Sequence, residues 1–279
     1  MPSGSSKPCE DEWVIDRRPD VGICFLAVVD GATDESGVIF EDKTTGRLAA
    51  EAVAAAVAGF EPQTDAVTAV RDMTAAVARL RQRLGIPDDT TNPPTAAVAV
   101  YSVARRELWR VGDVHLAVRG ASGDVLIDAR GDKAVDVATS HFRAAHNSIL
   151  LAGGTDPAEI AATDPGRQLI MGMLVQQSLL ANHPDQIPFS YGVIDGTPVP
   201  ERFIEVHPVE RGPVEVVMAT DGYLSPTASL AEAEQELAES LARDPLRIGE
   251  QPSTKGLRPG ANSFDDRTYL RFTPGTPWP

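Results

Sequence analysis

The order of strand-like and helical segments is the feature that most limits how this chain can fold. Short apolar runs of strand character come first, two Ala-rich amphipathic stretches follow, and further strand-like runs then dominate. Strands are predicted for residues 13–15, 23–29, 96–103, 107–111, 115–118, 125–127, 202–206, 214–219 and 268–272. Because helices do not alternate one for one with strands, an α+β fold of antiparallel sheets flanked by helices fits better than a doubly wound parallel sheet.

Local signals place four helices and one strand meander. Helices are predicted for residues 45–58, 64–84, 166–181 and 229–242. Gly85 ends the second helix, and Ser229 with Glu232 forms a capping box that opens the fourth. Turn dipeptides separate the four strand-like runs between 96 and 127, and this pattern predicts an antiparallel meander.

The domain organisation is simple. The 279 residues show no internal repeat and no clear linker, so a single domain over residues 1–279 is predicted. The segment from about 131 to 196 has the least regular pattern. We expect it to form an irregular insertion or lid beside the functional site.

The charge balance excludes some partners. The chain has 40 Asp and Glu against 25 Lys and Arg, a formal net charge of -15, and no basic stripe, so a nucleic-acid partner is not expected. No apolar run is long enough to span a bilayer, and the N-terminal residues do not form a signal peptide, so we expect a cytoplasmic, soluble protein. Of the two cysteines, Cys24 lies in an apolar run, whereas Cys9 lies beside acidic residues.

Acidic residues occur where predicted strands begin or end. Asp30 and Asp221 each follow an apolar run and precede a glycine, and Asp265 precedes the last strand. Glu10 and Asp11 precede the first strand. An acidic residue at the end of an apolar strand costs free energy unless it is paired, solvated or ligated. Asp-Gly is also a common turn dipeptide, so each occurrence alone is compatible with a structural role.

Several strand ends can meet in one cleft. Carboxylates that converge there repel one another, and a bound cation usually offsets this repulsion. The chain has no Cys/His cluster, which argues against zinc. All-oxygen ligands favour Mg²⁺ or Mn²⁺. His115 follows a Gly-Asp turn, and we expect a structural role for it rather than a place in the cleft.

Five segments, taken in order, resemble the motifs of the metal-dependent protein phosphatases of type 2C, with this chain as a divergent, bacterial-like member. They are CEDEWVI, FLAVVDGATDESG, LWRVGDVHLAV, VVMATDGYLSP and FDDRTYLRF. Because they are distributed from near the start of the chain to near its end, the resemblance extends over essentially the whole chain. The resemblance implies a four-layer α/β/β/α sandwich with two antiparallel sheets. It also implies a centre of two Mn²⁺ or Mg²⁺ ions between the sheet ends.

The resemblance assigns a role to each acidic residue. Asp30 would bridge the two ions, and Gly31 would offer its carbonyl oxygen to one of them, with Glu10 as a further ligand, direct or through water. Asp221 and Asp265 would hold the other ion.

Two further aspartates have implied roles, and the same resemblance implies the reaction. Asp11 would orient a water molecule, and Asp113 would support the site. The implied reaction is direct hydrolysis of a phosphate monoester by a metal-activated water, without a protein nucleophile. The implied substrate is phosphoserine or phosphothreonine on a partner protein.

Three positions depart from the family pattern. Ala32 stands where some members have a histidine, and Val114-His115 replace a Ser-Arg pair after Asp113. Lys7 is the only basic residue shortly before the acidic pair, where many members have an arginine. Two interpretations stay open: a divergent phosphatase, or a catalytically weak regulatory module. A third, an N-terminal nucleophile that processing would expose at Cys9 or at a Ser or Thr, fits the sequence poorly.

Overall fold

The computed structural model describes residues 1–4, 9–32, 38–87 and 90–275. Lys7 and the segment 33–37 of the second motif lie outside these described residues. Within these ranges there are eleven strands: β1 (Glu12–Arg18), β2 (Gly22–Gly31), β3 (Ile39–Phe40), β4 (Lys43–Thr44), β5 (Ala96–Ser102), β6 (Glu107–Val111), β7 (His115–Arg119), β8 (Val125–Ala129), β9 (Glu205–Pro208), β10 (Glu215–Ala219) and β11 (Tyr269–Phe272). The same ranges contain six α-helices: α1 (Thr45–Val57), α2 (Ala66–Leu84), α3 (Ala134–Ala152), α4 (Pro157–Thr163), α5 (Pro165–Gln176) and α6 (Leu230–Arg243).

Two antiparallel sheets form the centre of the molecule. The first has the strand order β1-β2-β5-β6-β9, and the second has the order β11-β10-β7-β8. Strand β2 shows how the sequence builds the layers. Its Phe25 and Ala27 face a core shared with α1 and α2, whereas Leu26 and Val28 face the second sheet. The period of two therefore gives each central strand two apolar faces, which produces a helix layer on one side and a sheet on the other.

Helix ends follow the local signals closely. The side chain of Asp65 accepts a hydrogen bond from the amide of Thr68, so α2 begins at Ala66, two residues later than predicted. Gly85, with a φ of +67°, ends α2 in the left-handed conformation. Ser229 caps α6 by accepting from the amide of Glu232, as the capping-box pattern predicted.

Helix α6 covers the outer face of the second sheet. Its Ala233 packs with Ala219 of β10 and with Tyr223, while Met218 of the same strand faces the first sheet. The arrangement confirms the predicted α+β sandwich of two antiparallel sheets flanked by helices. No helix among the described residues combines the length and apolar character needed to cross a membrane.

Three predictions of local structure were wrong. The four strands between 96 and 129 do not form one meander, because β6 belongs to the first sheet and β7 to the second. The segment 131–196 is more regular than expected, since besides α5 at the predicted helix 166–181 it contains α3 and α4, which were not predicted. The predicted strand at 202–206 is displaced to Glu205–Pro208, because residues Glu201–Phe203 form a 3₁₀ turn.

The missed helix α3 has an unusual distribution of side chains. Thr139, Arg143 and Asn147 are buried, whereas Phe142 and Ile149 are exposed. An apolar periodicity therefore does not mark its buried face, and this explains why the pattern of the sequence did not reveal the helix.

Candidate metal centre

Of the residues that the structure describes, seven aspartates line one pocket, here named the central pocket, and the five to which the sequence assigned roles come from separate parts of the chain. Asp11 directly precedes β1, Asp30 lies near the end of β2, and Asp113 lies in the turn between β6 and β7. Asp221 follows β10, and Asp265 precedes β11. Both sheets therefore contribute carboxylates at neighbouring ends. The structure thus brings the predicted aspartates together, and Glu10 and Gly31 line the same pocket.

The carboxylates lie close enough to affect one another's protonation. Burial and the charges of Asp113 and Asp265 raise the pKa of Asp221 to about 8. Burial and the charge of Asp221 raise the pKa of Asp30 well above its ordinary value of 3.8. Burial also raises the pKa of Asp11 to about 7, although hydrogen bonds from Thr220 and Thr268 act in the opposite direction. Negative charge is thus in excess here, which favours a bound cation.

Two lysines that the sequence analysis missed offset part of this charge. Lys133 Nζ lies 2.7 Å from Asp113 and 3.9 Å from Asp136. Lys255 Nζ lies 2.7 Å from Asp265. Burial lowers the pKa of Lys133, but the two carboxylates outweigh burial and the pKa is raised well above its ordinary value. Both lysines therefore carry a charge inside the acidic centre.

The donor atoms of the pocket suit a hard divalent cation, but the described side chains are not arranged as a complete set of metal ligands. Within the described ranges, no three His, Cys, Asp or Glu side chains are arranged to hold a metal ion. The aspartates nevertheless provide only oxygen donors, and their raised pKa values show mutual repulsion that a cation would relieve. A metal ion would have to attract these carboxylates in competition with Lys133 and Lys255.

Asp11 is held by contacts with the end of β10 and with helix α1. Thr220 Oγ1 donates to Asp11 Oδ2 at 2.8 Å and itself accepts from the amide of Thr268 at 2.8 Å. The main-chain carbonyl of Asp11 accepts a hydrogen bond of 2.8 Å from Arg47 Nη1. Thr220 is fully buried. The Thr before Asp221 thus fixes the position of a carboxylate more than 200 residues away in the chain.

The two aspartates before β11, Asp265 and Asp266, make different contacts. Asp266 Oδ1 accepts from the amide of Ser3 at 2.7 Å, and its Oδ2 accepts from the amide of Glu10 at 2.9 Å. Asp266 also lines the central pocket, but both of its oxygens anchor the N-terminal segment, whereas the neighbouring Asp265 faces Lys255. This arrangement supports the choice of Asp265 as the functional member of the pair.

Both glycines that follow the strand-end aspartates are needed for close backbone packing. A Cβ at Gly31 would lie 2.4 Å from the carbonyl oxygen of Gly46 and 2.6 Å from that of Glu10. A Cβ at Gly222 would lie 1.9 Å from the carbonyl oxygen of Asp266. Neither glycine needs a positive φ. Because they have no side chain, they instead allow the segments that carry acidic residues to pack closely against each other.

His115 has the structural role that the sequence predicted. Its Nδ1 accepts from the amide of Gly131 at 3.0 Å, so its Nε2 carries the proton and donates to the carbonyl of Tyr223 at 3.0 Å. Burial lowers the pKa of His115, which keeps the ring neutral. Both ring nitrogens are therefore used in joining loops, and the ring is not free to transfer a proton.

Comparisons with known proteins identify the fold. No protein-family model matches the chain, and no curated protein does so either. The catalytic domain of the serine/threonine protein phosphatase PstP, in complex with two manganese ions, is 16% identical, with 98% of this chain and 95% of that chain covered and a TM-score of 0.50. The phosphatase PstP/Ppp of Mycobacterium tuberculosis is 17% identical, covering 97% and 94%, with a TM-score of 0.48. Stp1 of Staphylococcus aureus is 12% identical, covering 99% and 94%, with a TM-score of 0.48.

The chain therefore has the fold of the type 2C serine/threonine phosphatases of bacteria, and this confirms the resemblance seen in its motifs at the level of the fold. At this identity the comparison establishes architecture alone. The activity has to be argued from the site.

Proposed function

We propose that this protein hydrolyses phosphate monoesters, and that its substrates are phosphoserine and phosphothreonine residues of proteins. The observation that carries the proposal is the convergence of Asp11, Asp30, Asp113, Asp221 and Asp265 on one pocket, with burial and mutual repulsion raising the pKa of three of them. The fold supports the proposal, because the catalytic domain of PstP binds two manganese ions on the same architecture.

The proposed ligand set uses all the predicted residues. Asp30, the Gly31 carbonyl and Glu10 would hold one Mn²⁺ or Mg²⁺, with Asp30 shared between two ions. Asp221 and Asp265 would complete the second site. All of them line the central pocket, and oxygen donors of this kind are those that Mg²⁺ and Mn²⁺ prefer.

The residues of the chain divide the chemistry between them. Two divalent ions, when bound, supply a water of lowered pKa and offset negative charge on the phosphoryl oxygens. Asp11 would orient the attacking water and accept its proton, and a pKa raised by burial to about 7 suits such a base near neutral pH. The hydrogen bond from Thr220 to Asp11 Oδ2 fixes the direction of that carboxylate. The products are inorganic phosphate and a free hydroxyl group.

The substrate class follows from charge and access. A net charge of -15 disfavours nucleic acid, whereas a phosphorylated side chain on a protein surface can enter an open acidic pocket once a cation is present. Arg167, Lys133 and Lys255 also line this pocket and give it positive groups for a phosphate. We propose that the protein works in the cytoplasm on phosphoprotein partners.

The test is metal-dependent hydrolysis of p-nitrophenyl phosphate and of a phosphoserine peptide. Turnover with Mn²⁺ should be abolished by EDTA and should fall at least about a hundredfold in Asp30→Asn. Asp72→Asn, on the exposed side of α2, is the matched control and should retain turnover. Turnover that survives both EDTA and Asp30→Asn would contradict the proposal.

A second candidate is a catalytically weak or inactive regulatory module on the same fold. The specific observation is that Lys133 and Lys255 already pair with Asp113 and Asp265 at 2.7 Å. Calorimetric titration with Mn²⁺, run beside the turnover assay, separates the two candidates. Tight binding with robust turnover eliminates the second candidate, whereas binding without turnover supports it.

A further inference from the structure

The acidic centre also opens into a second pocket, here named the side pocket. Its lining includes Asp113, Asp221 and Asp265, which it shares with the central pocket, together with Arg247 and Phe264, which it does not share. A substrate with its phosphate among the aspartates would therefore have a second region beside it for neighbouring groups.

Arg247 is a buried cation without a matching anion. It is 5% exposed, and among the described residues it forms no ion pair with a carboxylate within 4.0 Å. Its Nη1 donates a long hydrogen bond of 3.3 Å to Ser240 Oγ, and its guanidinium stacks on Phe264 at 4.3 Å from the ring centroid. Its Nε is buried, and none of the described residues forms a hydrogen bond with it.

Three other buried arginines are paired with carboxylates. Arg110 Nη2 lies 2.8 Å from Glu205, Arg143 Nη2 lies 2.9 Å from Asp164, and Arg267 Nε lies 2.9 Å from Glu234. A buried charge without a partner destabilises the fold, so such pairing is expected. Asp244 is near Arg247, but one of its oxygens accepts from the amides of Ile248 and Gly249. Arg247 therefore differs from these residues in lacking an anion.

The backbone holds Arg247 in an uncommon conformation. Its φ is +52°, in the left-handed region that non-glycine residues seldom adopt. Its amide donates to the carbonyl of Asp244 at 3.1 Å, and its own carbonyl accepts from Arg143 Nη1 at 3.1 Å. The buried Arg143 thus fixes the loop that presents Arg247. Local strain of this kind is often found at binding sites.

We propose that Arg247 determines specificity by binding a second anionic group of the substrate, a carboxylate or a phosphoryl group that flanks the reacting phosphate on the peptide. The inference rests on the proposed function, because it takes the aspartates as the place of the reacting phosphate. A guanidinium has donor edges suited to a bidentate oxyanion, and the contact with Phe264 helps to hold that of Arg247 in place. The exposed Arg130 lines the same pocket and adds positive charge near solvent.

The test compares three phosphoserine peptides that differ at one flanking position, which is alanine, glutamate or a second phosphoserine. The full chain is loaded with Mn²⁺ and kcat/KM is measured for each peptide. Wild-type protein should prefer the anionic peptides. Arg247→Gln should lower the ratio of anionic to neutral kcat/KM by about 10- to 100-fold, the effect of losing a charge-assisted hydrogen bond. Arg247→Lys should restore part of the ratio.

Arg243→Gln is the matched control, since Arg243 is exposed on α6 and pairs only at 3.9 Å with Glu239. It should leave the ratio unchanged. The proposal is overturned if Arg247→Gln leaves this ratio unchanged, which includes the case in which kcat/KM falls equally for all three peptides. Preference for the glutamate peptide identifies a carboxylate as the ligand, and preference for the doubly phosphorylated peptide identifies a phosphoryl group. Thermal unfolding of each variant shows whether it is folded.

A binding measurement separates this inference from the proposed function. Fluorescence anisotropy with the same labelled peptides is performed on Asp30→Asn, with and without Arg247→Gln. If wild-type protein hydrolyses no peptide, the proposed function fails. The inference then stands only if the anionic peptides bind more tightly than the neutral one and Arg247→Gln removes that difference. Equal binding of all three peptides overturns the inference.

Discussion

Thr220 Oγ1 donates a hydrogen bond of 2.8 Å to Asp11 Oδ2, and this bond joins the end of β10 in one sheet to the start of β1 in the other. The same oxygen accepts from the amide of Thr268, just before β11. One buried hydroxyl therefore sets the relative position of three segments that carry acidic residues. The residue before an Asp-Gly turn has a positioning role that the dipeptide itself does not indicate.

Thr220→Val keeps the shape of the side chain and removes this donor. The variant should lose about 1–3 kcal/mol of unfolding free energy, because a buried carboxylate and the amide of Thr268 each lose a partner. The pKa of Asp11 should also rise further, since Thr220 acts to lower it. Urea unfolding measures the first effect, and the acidic limb of the kcat/KM–pH profile, moving to higher pH, measures the second. Thr163→Val on an exposed helix end should change neither.

The acidic centre was predictable because its signal is local. Asp30 and Asp221 each end a run of buried strand residues and precede a glycine, and the cost of burying a carboxylate makes such positions conspicuous. The α+β class followed from the order of the strand-like and helical segments, and the continuous apolar run of β2 marks a strand that is buried on both faces. The four-layer arrangement followed from the resemblance of the motifs.

The lysines and the change of sheet between β6 and β7 were not predictable in this way. Lys133 precedes a helix whose buried face is polar, and Lys255 lies in a loop, so neither stands in a periodic pattern. Gly112-Asp113 resembles a hairpin turn. However, Gly112 has a φ of +95° and packs closely on Ala97, since a Cβ at Gly112 would lie 2.5 Å from that of Ala97. At this point the chain leaves the first sheet and enters the second. Such packing depends on residues distant in sequence.

The stability of the metal-free chain should fall as pH rises from about 5.5 to 8.5. Asp11, Asp30 and Asp221 have pKa values raised above the unfolded value near 3.9, so the folded state binds protons more tightly than the unfolded state. Their stabilising protonation is complete below the unfolded pKa and is lost as pH rises through about 7 and 8. We expect a loss of about 2 kcal/mol, or about 4–8 °C in Tm.

Asp30→Asn provides the control for this pH dependence. The variant should show a smaller fall in Tm over the same range and should be more stable than wild type at pH 8.5, because it removes one of the repelling charges. Differential scanning calorimetry in EDTA measures both quantities. A wild-type Tm that rises with pH would contradict the arrangement of charges described above.

Lys255→Gln should strengthen Mn²⁺ binding. Lys255 Nζ lies 2.7 Å from Asp265, so it competes with any cation for that carboxylate and repels cations nearby. We expect the Kd for Mn²⁺ to fall about tenfold in calorimetric titrations, while the metal-free chain becomes less stable because Asp265 loses its counter-charge. Lys43→Gln breaks a surface pair with Glu51 and should leave the Kd unchanged. A weaker affinity in Lys255→Gln would show that Lys255 supports the metal ligands instead of competing with the metal.

Gly222→Ala should damage both the fold and the metal centre. The added Cβ would lie 1.9 Å from the carbonyl oxygen of Asp266, so the segment carrying Asp265 and Asp266 has to move. We expect a loss of about 3 kcal/mol or more in urea unfolding, together with weaker Mn²⁺ binding. Gly172→Ala in α5 is the matched control, because no atom lies within 4 Å of its added Cβ, and it should stabilise the chain by about 0.5–1 kcal/mol. Comparable stability changes in the two variants would show that the close approach at Gly222 does not constrain the acidic residues.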